Sequence, residues 1–428
     1  MTSESKPHDD LLLLSLKAFP LAREAFAAKF GEHGKAAAKK PLVSIKSHIF
    51  ITIYEVDSMG TPPRSHPFRL SLASLAVCCC LLLQLQRSHS LSGHPALLTS
   101  IKTFRQPPNL STDACRIFHG RGGLYDGADH LTLDYYAPVF LLTSFGVELE
   151  EEELNSYCSA LRDHAVVNKN DDGDDDDFNS HNHPLTMVYQ CRGGSNNTSS
   201  GSRLLCGTIP DPHIVTEHNG EDKYLVHLMK GQNHGLFLDM ANGRTWLREK
   251  CQNRHISSVL NLFAYTCAFS VAALNGGADK VINVDMSRGA LKIGQRNHEL
   301  NGITGSKASF LSHDIFKTWG KLKKFGPFDC IVVDPPSYQK GSFVAKKDYG
   351  KVIRRLPSLL NEDGFALLCL NAPELTSEYL LDTVKEECGT ELSFLERLEN
   401  PFAFASAYPE RALKVLVFQC KKSVAETK

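Results

Sequence analysis

From Ser257 onward the chain repeats one pattern five times: a short apolar run, then an amphipathic stretch. The runs are S-S-V-L-N-L-F-A, K-V-I-N-V-D-M, K-A-S-F-L-S-H-D, F-D-C-I-V-V-D and F-A-L-L-C-L-N. Strands covered on both faces read as such near-continuous apolar runs. The stretches between them read as helices. One closes at Gly276, the next starts on Ser287 as N-cap and stops at Gly302, a basic one follows, and two more occupy 346–360 and 375–388. L-S-F-L-E-R-L and L-K-V-L-V-F-Q then close the chain with no helix between them. They are expected to pair as a hairpin. The pattern predicts an α/β fold: a mostly parallel sheet with helices on both faces and a terminal antiparallel hairpin.

The fourth run ends abruptly at Asp334-Pro335-Pro336-Ser337-Tyr338. Two prolines cannot continue a ladder, so the chain leaves the sheet there. In open α/β sheets, ligands bind just outside the carboxyl ends of strands. An acid, two rigid rings and an aromatic at that place suit a planar group held beside a carboxylate. After the first run, Asn261-Leu262-Phe263-Ala264-Tyr265-Thr266-Cys267 carries no G-x-G-x-x-G, the pattern that lets a backbone approach a pyrophosphate. That counts against a dinucleotide.

These segments carry a family resemblance. D-P-P-S-Y resembles the (Asp/Asn)-Pro-Pro-(aromatic) motif of S-adenosylmethionine-dependent methyltransferases acting on base nitrogens, with Ser337 as a spacer. L-F-A-Y-T-C-A-F-S resembles L-F-x-Y-T-G-x-F-S of bacterial 23S rRNA methyltransferases, with Cys267 at the usual glycine position. If that position needs φ > 0, Cys267 carries strain. Gly235 to Arg244 resembles the G-x-F-x-D-x-x-x-x-R segment that closes over the cofactor in the same enzymes. The resemblance implies a Rossmann-like seven-stranded methyltransferase sheet over 231–428, preceded by a small α+β domain over 111–230 that binds substrate. It implies S-adenosylmethionine as cofactor, and RNA, most of all rRNA, as substrate.

It also implies residue roles. Phe237, Asp239, Arg244, Asn261, Phe263, Tyr265, Thr266, Cys267, Asp285, Met286, Ser287, Asp314 and Asp334 are expected around the cofactor, with Asp285 on the ribose hydroxyls and Asp314 against adenine. On the bland reading, Asp285 is only a helix-terminal acid, Asp314 a cap, and Asp239–Arg244 a structural ion pair. Asp334, Pro335, Tyr338 and Asn371 are expected on the acceptor side. Members that make 5-methylcytosine need a cysteine nucleophile where Asn371 stands. Cys369, two residues earlier, reads as core. A base nitrogen is therefore the expected acceptor. The alternatives are a 5-methylcytosine enzyme, a non-catalytic RNA-binding relative and a Rossmann oxidoreductase.

Composition sets the remaining bounds. Charged residues make up 22% and apolar residues 42% of 428, as in a globular protein of two or three domains. A formal net charge of −1 means any nucleic-acid surface must be local. A basic run from Lys317 to Arg355, including Lys321, Lys323, Lys324, Lys340, Lys346, Lys347, Lys351 and Arg354, flanks the site and suits either phosphate contact or solvated helix faces. The 13 cysteines form no C-x-x-C, and His234 and His298 lack ligand companions, so no metal is expected. Buried thiols suit a reducing compartment, the cytoplasm or an organelle. The apolar stretch 70–85 is marginal for a membrane span, and none is expected. Residues 1–110 are the least legible. Residues 11–30 have helical spacing, whereas 36–108 lose periodicity and read as an insertion. Two polar stretches, 171–177 and 193–202, read as surface loops.

Overall fold

The computed structural model describes residues 93–104, 113–167, 185–193, 201–339 and 343–421. It opens on α1 (Pro95–Thr103), with Pro95 at its start and the His94 ring accepting from Ala96 N. Leu97 and Ile101, one turn apart, are fully buried. They enter the core of a five-stranded sheet built from β1 (Cys115–His119), β2 (Leu131–Tyr136), β3 (Val139–Phe145), β4 (Thr186–Arg192) and β5 (Ser202–Cys206). The first three strands are antiparallel. β3 and β4 run parallel across the crossover helix α2 (Glu151–Val167), and β5 returns antiparallel. Within 36–108, the stretch read as an insertion without periodicity, residues 95–103 form this helix and bury two large side chains. Residues 36–92 and 105–108, the basic residue Lys340, the 70–85 run and the helix expected over 11–30 lie outside the described residues.

A hairpin of β6 (Ile214–Glu217) and β7 (Asp222–Leu225) leads to α3 (Ala241–Gln252) and then to the main sheet. That sheet holds β8 (Ser258–Leu262), β9 (Lys280–Asp285), β10 (Ala308–Ser312), β11 (Phe328–Val333), β14 (Leu360–Leu370), β15 (Leu392–Leu398) and β16 (Lys414–Cys420). A small ribbon, β12 (Tyr338–Gln339) with β13 (Phe343–Val344), sits between β11 and β14 in the chain. The strand order is β10-β9-β8-β11-β14-β16-β15. The first five strands are parallel and β16 is antiparallel to both neighbours, so the terminal hairpin closes the sheet.

Helices α4 (Ala268–Asn275), α5 (Arg288–Leu300), α6 (Trp319–Phe325), α7 (Ala345–Ile353) and α8 (Ser377–Cys388) connect the strands. α7 ends at Ile353 rather than running to 360, because Leu356 and Leu359 turn into the core and β14 starts at Leu360. One apolar core forms under Tyr349, Val352, Leu380 and Ile282, and a second under Trp246, Leu247, Phe269 and Val259. The order reverses between β8 and β11, so the crevice opens beyond Leu262 and Val333. The small domain is fixed to this sheet by a shared core of Tyr136, Val139 and Val188 with Tyr224, Leu236 and Val271.

Candidate active site

Beyond those strand ends lies a cleft of about 580 Å³. The turn after β8 forms one wall. Three non-glycine residues within five positions of it, Phe263 (φ 59°), Tyr265 (φ 48°) and Cys267 (φ 63°), take left-handed backbone. Such conformations persist where the surroundings over-determine them. Tyr265 N donates to Asp285 Oδ2 at 2.8 Å. Thr266 Oγ1 donates to Gly235 O at 2.5 Å, and Thr266 O accepts from Asn297 Nδ2 at 3.0 Å. The turn is thus tied to β9, α5 and the 235–240 segment together.

Asp285 ends β9 and faces the cleft. Its Oδ1 accepts from Ser287 N at 2.7 Å, and Ser287 caps α5 through Ala290 N. An ionised carboxylate offers about four acceptor positions, so two stay free for a ligand. Asp314 both caps its one-turn helix, accepting from Phe316 N at 2.9 Å, and lines the cleft. Phe263, Tyr265, Met286, Ser287, Phe237 and Asp239 also line it, as do Asp334, Pro335, Tyr338 and Asn371.

Four of the residues expected around the cofactor do not line the cleft itself. Arg244, Asn261 and Thr266 border an adjoining void of about 30 Å³, not the cleft itself. Cys267 borders neither; its thiol is fully buried, which pushes its pKa well up. Asn261 belongs to a buried chain in which its Nδ2 donates to Asn283 Oδ1 and Asn283 Nδ2 donates to Ser270 Oγ. The Asp239–Arg244 pair allowed by spacing is not formed. Arg244 is buried against Glu217, with Nε 2.6 Å and Nη2 2.5 Å from its carboxylate, and Nη2 also donates to Phe237 O. Glu217 lies in β6 and competes successfully because it offers a bidentate partner.

Asp334 is half-buried, and its carboxyl is pushed up to about 7. Burial is the main cause and the charge of Asp239 the second, with Arg244 opposing. Burial likewise raises Asp239. The buried Tyr349 phenol donates to Cys369 O at 2.9 Å and Val333 O at 3.4 Å, tying the ends of β11 and β14 together. Ser337 Oγ donates to Asn371 O. The Cys369 side chain packs with Cys330, Val332 and Leu367 in the core and does not reach the cleft.

Several lining residues escaped the sequence reading. Phe343 stacks 16° from parallel on Phe316 and meets Phe263 edge-on at 5.1 Å, forming an aromatic wall with Ile315. Only the fold-back of β12 on β13 brings Phe343 there, and no local pattern announces it.

Among the described residues, four aspartates line the cleft and no lysine, arginine or histidine does. Such a site accepts a cationic ligand with an aromatic face and repels a pyrophosphate. A crevice of that kind on a seven-stranded sheet ending in an antiparallel hairpin defines the methyl-transferring class of Rossmann-like proteins. Residues 115–419 match the family of S-adenosylmethionine-dependent methyltransferases, and the chain belongs to that family.

Relatives named ribosomal RNA large subunit methyltransferase I include one from Aeromonas hydrophila, 29% identical over 296 residues, covering 67% of this chain and 70% of that protein. Another, from Escherichia coli O157:H7, is 28% identical over 320 residues, covering 72% and 74%. A methyltransferase crystallised with SAH superposes with a TM-score of 0.60 at 25% identity, covering 73% of this chain and 76% of the other. A protein from Streptococcus mutans described as a SAM-dependent methyltransferase shares the fold, with a TM-score of 0.62 at 22% identity, covering 83% and 85%.

The donor set fits the family's cofactor. The carboxylates suit its sulfonium, ammonium and ribose hydroxyls, and the aromatic wall suits adenine. No group of three or more His, Cys, Asp or Glu side chains is arranged to hold a metal among the described residues. No helix among them is long and apolar enough to cross a membrane.

Proposed function

We propose that this chain methylates a nitrogen on a base of RNA, with large-subunit rRNA as the substrate class. The observation that carries the reading is the composition of the cleft wall: Asp334-Pro335 and Asn371 stand at its mouth, and no cysteine lines it among the described residues. Methylation at carbon 5 of a pyrimidine needs a thiolate to attack the ring. A nitrogen acceptor needs only alignment and a hydrogen-bond partner for its amino edge.

In this reading Asp285 holds the ribose hydroxyls and Asp314 the adenine side. Phe237 and Asp239 close over the cofactor, which supplies an electrophilic methyl group on sulfur. Asp334 and Pro335 O accept from the base edge. Tyr338, 68% exposed at the mouth, stacks an unpaired or flipped base, and Asn371 steadies the same edge from β14. Asn261, Thr266 and Cys267 act through the shape of the turn, and Arg244 through its hold on Phe237 O. Residues 231–428 form the catalytic domain and 111–230 bind substrate. The free thiols of the described cysteines suit the cytoplasm.

Mass spectrometry of rRNA nucleosides from cells with and without the gene tests the reading. Loss of one N-methylated base is expected. Loss of 5-methylcytosine instead rejects the nitrogen acceptor, and an unchanged profile rejects rRNA.

A further inference from the structure

The cleft creates a problem for an RNA substrate. Its four aspartates admit a base but repel the phosphates on either side of it. Those phosphates need cations outside the mouth. Three cations of the run expected to supply them already meet carboxylates: Lys317 lies 3.5 Å from Asp314, Lys351 2.8 Å from Asp348, and Arg354 2.5 Å from Glu387.

The small domain has a different arrangement. The guanidinium of Arg121 lies 4.1 Å from the centre of the Phe145 ring, and that of Arg192 lies 5.7 Å from the same ring. Neither forms an ion pair with a carboxylate among the described residues. A third cation, Arg116, stands 4.4 Å over the Phe404 ring. Its partner Asp134 is engaged in two hydrogen bonds of 2.7 and 2.9 Å. Burial and Arg116 hold His119 at about 4, and burial lowers His234, so neither ring adds charge at neutral pH. Asp134 thus acts on both Arg116 and Arg192, while the charge felt by Arg121 is that of Arg116. Like charges gathered without counter-ions destabilise a fold unless a ligand anion relieves them.

The patch borders the cleft. Arg192 Nη2 donates to Gln232 O and lies 3.2 Å from His234 Nε2, and Asn233 between them lines the cleft. Glu148 and Glu150–Glu153 follow Phe145 in the chain, but the carboxylate acting most on Arg192 is Asp134.

We propose that Arg121 and Arg192, both held against the Phe145 ring, form a phosphodiester-binding station for the single-stranded RNA segment next to the target base. The inference rests on the RNA reading above. The phenyl ring holds both guanidiniums without neutralising them; Arg192 is further fixed by its Nε on Gln190 Oε1 and its Nη2 on Gln232 O, so that exposed Arg121 presents its N–H fork, and Arg192 its charge and Nη1, to phosphate oxygens.

Binding of single-stranded oligo(U) and oligo(A) RNA across a salt series tests it, with S-adenosylmethionine affinity measured in parallel. Arg121→Gln is expected to weaken RNA binding about fivefold or more and to reduce the salt slope by about 1, with Arg121→Lys in between. Arg121→Gln with Arg192→Gln should lower the slope by about 2. Cofactor affinity of Arg121→Gln should stay at the wild-type value, which also reports an intact fold. Wild-type RNA affinity and slope in Arg121→Gln, which is exposed and safe for folding, overturn the station while leaving the RNA reading standing. Wild-type protein that binds the cofactor but no RNA overturns both.

Discussion

Gly294 in α5 packs so tightly on Cys267 that a Cβ at 294 would sit 2.5 Å from the Cys267 Sγ. Cys267 stands where the related motif has glycine, and it keeps left-handed backbone at φ 63°. The thiol is accommodated because the facing helix position has no side chain. Gly294→Ala should therefore destabilise the protein by about 1–3 kcal/mol through overpacking. In a Cys267→Gly background the same change should cost less, because the sulfur is gone. A double-mutant cycle by urea unfolding reads the coupling. Strict additivity would show that the two sites relax independently and that the contact is unimportant. Cofactor affinity of Cys267→Gly should equal or slightly exceed wild type, since glycine adopts φ > 0 without strain.

Asp285→Ala should weaken S-adenosylmethionine binding by about 1.5–3 kcal/mol, the scale of hydrogen bonds to a charged group. It also strips Tyr265 N and Ser287 N of their acceptor, so some stability should go with it. Asp285→Asn keeps one carbonyl oxygen for the backbone and should recover part of that stability while still losing affinity. Calorimetry and melting curves separate the two effects. Unchanged affinity in both variants would remove Asp285 from the cofactor site.

How far the chain could be read in advance depended on the range of the interaction. Parallel strands such as Phe328–Val333 are buried on both faces and announce themselves as apolar runs ended by Asp-Pro-Pro. β5 (Ser202–Cys206) was not anticipated, because an edge strand with exposed Arg203 and Leu204 carries no such run. Asp285 and Asp334 were legible because strand ends point at the crevice. The Glu217 partner of Arg244 was not, because 27 residues separate the two and only the packing of β6 on α3 joins them. Motif residues do not reveal which side of a turn they face, so Thr266 and Cys267 point into the protein while Phe263 and Tyr265 face the cleft.

Cys369→Ala should retain most methyl transfer. The side chain lies in the core, and burial, then the charge of Asp334, push its thiol well above the ordinary value, away from a nucleophilic thiolate. The cost should be about 1 kcal/mol of stability, as for a small core truncation. The hydrogen bond from Tyr349 goes to the Cys369 backbone and survives the substitution. Asn371→Ala should reduce turnover instead. A folded, cofactor-binding Cys369→Ala protein without activity would restore covalent attack on a pyrimidine.

The Asp334–Asp239 pair makes stability depend on pH in a defined direction. Folded, Asp334 keeps its proton to about pH 7, whereas an unfolded chain releases it near the ordinary carboxylate value of about 3.9. Between those values the native state binds more protons than the unfolded state. Stability therefore falls at this group as pH rises through that window, and the loss is complete above about 7. Asp334→Asn removes the titration. The variant should melt above wild type at pH 8, by on the order of 1–3 kcal/mol, and the gain should shrink toward pH 5. On the proposed acceptor role of Asp334, methyl transfer should drop across the whole range. A cationic ligand favours the ionised carboxylate, so cofactor binding at pH 6 should release protons from wild type and fewer from the variant. Calorimetry in buffers of different ionisation enthalpy counts them. An equal stability difference at pH 5 and pH 8 would mean that Asp334 titrates as an ordinary carboxylate, and the electrostatic account of the cleft would fall with it.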